Sequence, residues 1–441
     1  MYIPKEVFCV KKFLLIFLLV AFAAFGFSQT IQFWHAMGGW RIDWFNEKAE
    51  EFNSLHPDIT VEVQYTGSYR DTLNKLIAAV QGGNPPHVVQ VFDVGTQIMI
   101  DGGIAVPMGE LIESDPDADL GKFLPQVLNY YRVNDVLYSM PFNSSNAILY
   151  YNKTLFEEAG LDPNSPPRTF EEFKKVSKTI TQYYDGNVVG FGFNLHSWFF
   201  EQLMAAQSGL MCNNNNGRTG RPTEAVFDNE AGLNIFTWLN EMYQNGTMIK
   251  TKVEDWTGAR QLFISQKVAM LMSSTSDVAL FMNASKENNF EFGTAFLPAP
   301  EGAPAGGAVI GGGSLWIIDG HPEKEIQAAW EFVKWMADTE QQIDWHQATG
   351  YFPVKKDAVE NLLFSGYYKE YPDHLTALMQ LVLSEQNYAA RGAIIGAYPE
   401  IRTRIEQAME KMFAGDMTPA EALAWAEEGA TEAIKEYNEV Y

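Results

Sequence analysis

Fifty-five carboxylates, seven histidines and two cysteines are the side chains of this 441-residue sequence best able to do chemistry. Their spacing builds no familiar catalytic set. There is no GxSxG elbow, Walker loop, GxGxxG turn or HExxH helix. No histidines pair at metal-ligand spacing and no CxxC occurs, so no metal or other cofactor is expected. Asp115, Asp117 and Asp119 imitate the start of a calcium loop. Leu120 stands where that loop needs glycine, however, and Gln126 where it needs glutamate. They read as a solvated acidic turn. A carboxylate pair for glycoside hydrolysis stays open, because so many acids always offer pairs and nothing selects two.

Small polar residues placed at strand ends suggest a different chemistry. Ser144 and Ser145 precede a strand at 147–151, Ser273 and Ser274 follow one at 268–272, and Gly311, Gly312 and Gly313 interrupt another. Hydroxyls and glycine amides together can hold an anion without many positive charges. Each alone reads as an ordinary turn; recurrence at three separated places argues for a site.

These positions need an α/β framework. The alternation of short apolar runs with helical periodicity predicts strands at 31–34, 59–64, 87–92, 147–151, 188–193, 268–272 and 308–318. Helices are predicted at 39–55, 69–81, 169–183, 229–245, from Pro322, at 401–413 and at 419–437. Thr169 with Glu172 three residues on forms a capping box, and Leu233, Phe236, Leu239 and Tyr243 mark one helix face. Asn213–Pro222, with four consecutive asparagines, reads as an exposed loop.

Length allows two or three domains. A formal charge of −24 argues against nucleic acid, which asks for a basic face. Aromatic residues make up 14% of the chain, which fits either a flat organic ligand or bulky cores. Lys11 and Lys12 precede an apolar run at 13–25 that ends in small residues, the order of a secretory signal peptide over residues 1–28. The run is short for a membrane span. The expected mature protein loses three lysines and one glutamate, moving its charge to −26, and loses Cys9, leaving Cys212 alone.

Six segments carry a resemblance: FWHAM at 33–37, VFDVGTQIM at 91–99, PFNSSNAILYYNK at 141–153, IGGGSLW at 310–316, WHQATGYFPV at 345–354 and PEIR at 399–402. Together they resemble the extracytoplasmic solute-binding proteins of ABC importers, in the branch of the maltose-binding proteins, with the strongest likeness to the glycerol-3-phosphate-binding proteins. The resemblance implies a two-lobed periplasmic-binding-protein fold of type II with a hinged cleft. Lobe 1 would be 29–142 with 313–370, and lobe 2 would be 143–312 with 371–441. It implies a periplasmic, monomeric binding protein, peripheral to the membrane. Such a protein is not an enzyme, and hands a glycerol-phosphate ligand to the transmembrane subunits of an ABC permease.

Residue by residue, the phosphate side is implied to be Ser145, Ser274, Gly312, Tyr351 and Arg402, and the glycerol side Tyr69, Asp93 and Trp198. Asp93 stands in place of a glutamate and is one methylene shorter. Leu195 stands in place of a tryptophan. The lost indole either opens room for a glycerophosphodiester such as glycerophosphocholine, its choline on nearby aromatics, or is filled by a neighbouring side chain. An oligosaccharide-binding protein of the same fold is the alternative, and a secreted hydrolase a more distant one.

Overall fold

The computed structural model describes residues 28–303 and 306–441; the apolar run and Cys9 of the expected leader lie outside them. The chain opens with β1 (Gln29–His35), α1 (Arg41–Leu55), β2 (Ile59–Tyr65), α2 (Tyr69–Gln81) and β3 (Val88–Phe92). Next come α3 (Pro125–Tyr131), β4 (Met140–Ser145), β5 (Ala147–Asn152), α4 (Phe170–Tyr183), β6 (Val189–Leu195) and α5 (Ser197–Ala206). Then follow α6 (Glu230–Gln244), β7 (Met248–Val253), α7 (Trp256–Ile264), β8 (Val268–Ser274), β9 (Phe292–Ala295) and β10 (Gly311–Ile317). The chain closes with α8 (Glu323–Met336), α9 (Thr339–Thr349), α10 (Tyr398–Ala414) and α11 (Pro419–Val440). Among the described residues, no helix is long and apolar enough to cross a membrane.

The described residues form two compact units, 28–90 with 317–335, and 91–303 and 306–316 with 336–441. In the first, β1 lies between β2 and β3, parallel to both. Phe33 and Phe52 meet Phe332 of α8 edge-on, which buries the apolar stripe of that helix. The buried Gln90 side chain accepts the Ala36 amide at 2.9 Å and fixes the end of β1.

The second unit holds a five-stranded sheet in the order β9-β5-β8-β6-β7. β8 runs antiparallel to β5 and parallel to β6. The Thr169–Glu172 capping box of α4 is present. On α6 the buried face runs through Ile235, Phe236, Trp238, Leu239 and Met242, whereas Leu233 is 39% exposed. The predicted stripe was therefore rotated by about one residue. Its centre is Trp238, which stacks on Phe170 at 4.2 Å.

Asn213–Pro222 is only in part the exposed loop its composition suggests: Asn214, Thr219, Gly220 and Arg221 are exposed, but Asn216 and Pro222 are buried. Asn214, Asn215, Asn216 and Gly217 all take left-handed backbone angles and make one turn of left-handed helix. Asparagine tolerates this region better than other non-glycine residues. Gly217 is needed for space as well, since a Cβ there would lie 2.3 Å from the Ile394 carbonyl. The buried Asn216 side chain accepts the Met211 amide and donates to the Tyr388 carbonyl. Cys212, just before the turn, is fully buried.

The turn delivers Arg218 to main-chain carbonyls. Its guanidinium donates to Asn129, Tyr130 and Arg132 at the end of α3, and to Arg391 and Gly392. The carbonyls ending α3 lack helical donors, and a cation suits that end of the dipole. Burial pulls the Arg218 pKa down to about 10, so it keeps its proton at neutral pH. Arg218→Met is expected to lower unfolding stability by about 2–3 kcal/mol, through the buried acceptors it orphans. Urea denaturation checks this; a loss below ~0.5 kcal/mol would mean that water replaces the guanidinium.

Candidate functional site

Arg402 lies one turn into α10 and is buried. Its Nε and Nη2 form a two-pronged ion pair with Glu201 of α5, at 2.7 and 2.8 Å. Nη2 also reaches Asp93 at 3.3 Å. One turn further along α10, Glu406 accepts both the amide and the hydroxyl of Ser197, at 3.1 and 2.9 Å. Helices α5 and α10 are thus clamped twice, at 197–406 and at 201–402, with one helical turn between the clamps on each helix.

Burial raises the Asp93 pKa to about 6, and nearby Glu201 adds to the rise while Arg402 opposes it. Burial pulls the Arg402 guanidinium down, but Glu201 and Asp93 more than offset this and its pKa is raised overall. The Arg402 guanidinium lies over the rings of Tyr398 and Phe92, at 5.6 and 6.0 Å. Its Nη1 makes no hydrogen bond among the described residues.

The predicted phosphate-side residues are tied together through their chain neighbours. Ser145 at the end of β4 stands opposite Gly311, and Ser144 opposite Gly312, in the antiparallel β4–β10 pair. Ser274 at the end of β8 stands opposite Ala147. The Phe352 amide, next to Tyr351, donates to the Ser144 carbonyl, and the Thr275 hydroxyl, next to Ser274, donates to the Gly350 carbonyl. The Tyr351 ring stacks on Trp345. Gly312 has φ +95°, and a Cβ there would lie 1.9 Å from the Asn143 carbonyl. Gly311 faces the Trp198 indole.

One helical turn on the same face of α5 separates Trp198 from Glu201. A chain of neighbours therefore runs from Ser145 through Gly311, Trp198 and Glu201 to Arg402 and Asp93, all in the second unit. Leu195, the last residue of β6, is fully buried. Tyr69 is the first residue of α2, half-buried in the first unit.

Three residues were not foreseen from the sequence. Glu201 could have been found, being the one charged side chain in the otherwise uncharged run 197–206. Trp256, first in α7, lies 6.0 Å from Trp198 and 5.3 Å from His196, a second indole beside the first. Arg260, one turn on, pairs with buried Asp277, which also accepts the Ser273 hydroxyl. No local signal marks Trp256 or Arg260.

Two further clusters bring histidine near carboxylate: His87, His321 and Glu325 in the first unit, and His196, Glu254 and Glu406 in the second. Their hydrogen bonds disfavour a metal. His87 Nδ1 accepts the Gln32 amide, so its Nε2 carries the proton given to Glu325. His196 Nδ1 likewise accepts the Trp198 amide. A ring that spends one lone pair on an amide keeps its proton on the other nitrogen, leaving nothing for a metal.

Residues 47–376 match the bacterial extracellular solute-binding protein family. The chain belongs to this family. The sn-glycerol-3-phosphate-binding periplasmic protein UgpB of Escherichia coli (strain K12) is 30% identical to this solute-binding protein over 414 residues, 92% of this chain and 93% of UgpB. Among solved structures, UgpB of Mycobacterium tuberculosis in complex with glycerophosphocholine superposes with TM-score 0.78 at 20% identity, covering 93% of this chain and 99% of that one. The cyclic α-maltosyl-1,6-maltose-binding protein of Arthrobacter globiformis gives 0.74 at 22%, covering 92% and 99%. The expected maltose-binding-protein-like α/β fold of type II is therefore present, and the protein is an extracytoplasmic solute-binding protein of the ABC-importer class.

Proposed function

We propose that this solute-binding protein captures glycerol-3-phosphate or a glycerophosphodiester such as glycerophosphocholine and delivers it to the transmembrane subunits of an ABC permease. It does so without catalysis, as a monomer exported by the leader at residues 1–28. The observation that carries the reading is the linkage of Ser145, Ser274, Gly312 and Tyr351 through adjoining backbone, in the unit that also holds Arg402. Hydroxyls at strand ends and a guanidinium with a free edge suit phosphate oxygens. Asp93, Leu195 and Trp198 would then bound the rest of the ligand. In this reading the lobes divide as 29–142 with 313–370 and 143–312 with 371–441, a division that differs from the two compact units, one of which holds both Asp93 and Arg402. The ligand names of the UgpB relatives agree with it.

Isothermal titration with glycerol-3-phosphate, glycerophosphocholine and maltose tests the proposal. Heat from either phosphate compound and none from maltose is expected. The paired indoles of Trp198 and Trp256 favour a second reading, an oligosaccharide stacked on aromatic faces. Binding of maltose alone would establish that reading. Product formed from a bound phosphodiester would instead identify a hydrolase.

A further inference from the structure

We propose that Glu201 sets the charge of ligand this protein accepts, selecting a singly charged phosphodiester over a doubly charged phosphate monoester. The inference rests on the proposed function and concerns the same site. Glu201 holds Arg402 by two bonds, and Asp93 approaches the same guanidinium at 3.3 Å. All three side chains are buried. Arg260, beside Trp256, is matched by Asp277. With these groups ionised the residues sum to −1, not +1. The Arg402 guanidinium thus offers the hydrogen bonds of its free Nη1 but no surplus charge. A dianion brought there meets two carboxylates in a poorly screened interior, while a diester carries one fewer negative charge. A zwitterionic diester adds a cation that the carboxylates attract. Glu201 acts through Arg402, by fixing which edge of the guanidinium is free and by cancelling its charge.

The ionisable groups facing this point are Arg402 and Tyr398 of α10, Glu201 of α5, Tyr130 and Tyr131 of α3, and Asp93 itself, with Arg218 beyond Tyr130 and Glu406 one turn along α10. The tyrosines are held neutral by burial. Asp93 takes up a proton as pH falls through about 6, which aids both ligands through the phosphate they share. Of the two ligands only the monoester changes its own charge, near pH ~6, and the Asp93 charge gained over the same range repels that dianion while attracting the diester's cation, so both changes raise the ratio with pH.

The experiment is isothermal titration of wild-type protein and Glu201→Gln with glycerol-3-phosphate and glycerophosphocholine at about pH 5.5 and about pH 8, at fixed ionic strength. The wild-type diester-to-monoester affinity ratio is expected to rise roughly tenfold from the lower pH to the higher. At the higher pH the Gln variant is expected to lower that ratio by a similar factor. A wild-type ratio that stays flat or falls with pH overturns the proposal whether or not the variant folds. A folded variant with an unchanged ratio overturns it too. Binding of neither compound by wild-type protein overturns the proposed function itself, and this inference with it.

Discussion

Arg402→Ala is expected to lower unfolding stability by about 3–5 kcal/mol at neutral pH and to abolish measurable ligand binding. Removing one partner of a buried ion pair costs this much because the other is left charged and unpaired, and here Glu201 and Asp93 are both left. The loss should shrink in acid. Burial already raises the Asp93 pKa to about 6, and without the guanidinium the group that opposes this rise is gone. The folded state then binds a proton more readily than the unfolded chain does, and the penalty is relieved as pH falls through the raised Asp93 value. Urea denaturation at about pH 5 and pH 8 reads this directly. Arg402→Lys keeps the charge but cannot make the two-pronged pair, and should fall between. A variant as stable as wild type at pH 8 would show that the three side chains are not coupled.

Gly312→Ala should cost roughly 3 kcal/mol or more, with binding lost in proportion. Two effects add. The backbone at φ +95° disfavours any side chain, and the new methyl would sit 1.9 Å from the Asn143 carbonyl, forcing β10 off β4. Ser144 and Ser145 lie on the displaced edge. Gly320→Ala separates the two effects, because Gly320 has φ +90° with nothing within 4 Å of a built Cβ. It should lose only about 1–2 kcal/mol. Equal losses at the two positions, measured by thermal or urea unfolding, would show that contact with Asn143 contributes nothing.

The framework was readable wherever local chemistry and packing agreed. The helix 69–81 has the bounds its periodicity predicts, and the Thr169–Glu172 box forms as spelled. The strand at 308–318 was read too long, because the apolar residues 308–310 are buried without joining β10. Leu233 was misjudged because α6 turns Trp238 inward, and a large aromatic outweighs a leucine in choosing the buried face. The inward half of segment 213–222 escapes a sequence reading because asparagine, glycine and arginine are common in exposed turns, and only tertiary acceptors make a half-buried Arg218 tenable.

At the site, resemblance supplied Arg402 and Asp93 but not Glu201, the carboxylate that holds the guanidinium by two bonds. Glu201 and Trp256 are separated from Arg402 by more than a hundred residues, and no pattern in sequence links them. The resemblance suggested an arginine available to phosphate; the geometry holds one largely committed to carboxylates. Trp256 beside Trp198 also bears on Leu195, since an indole from another element stands next to the one that remains.

The left-handed turn carries its own reporter. Cys212 immediately precedes it, shielded from solvent, and burial pushes its thiol pKa up to about 12. Only the thiolate reacts with alkylating reagents, so labelling at this position must wait for the region to open. The labelling half-life of the peptide containing Cys212, followed by mass spectrometry, would therefore time the opening of the segment that Asn216 and Arg218 hold down. An unpaired cysteine thus serves as a clock for the one stretch of this chain whose handedness runs against that of every other helix described.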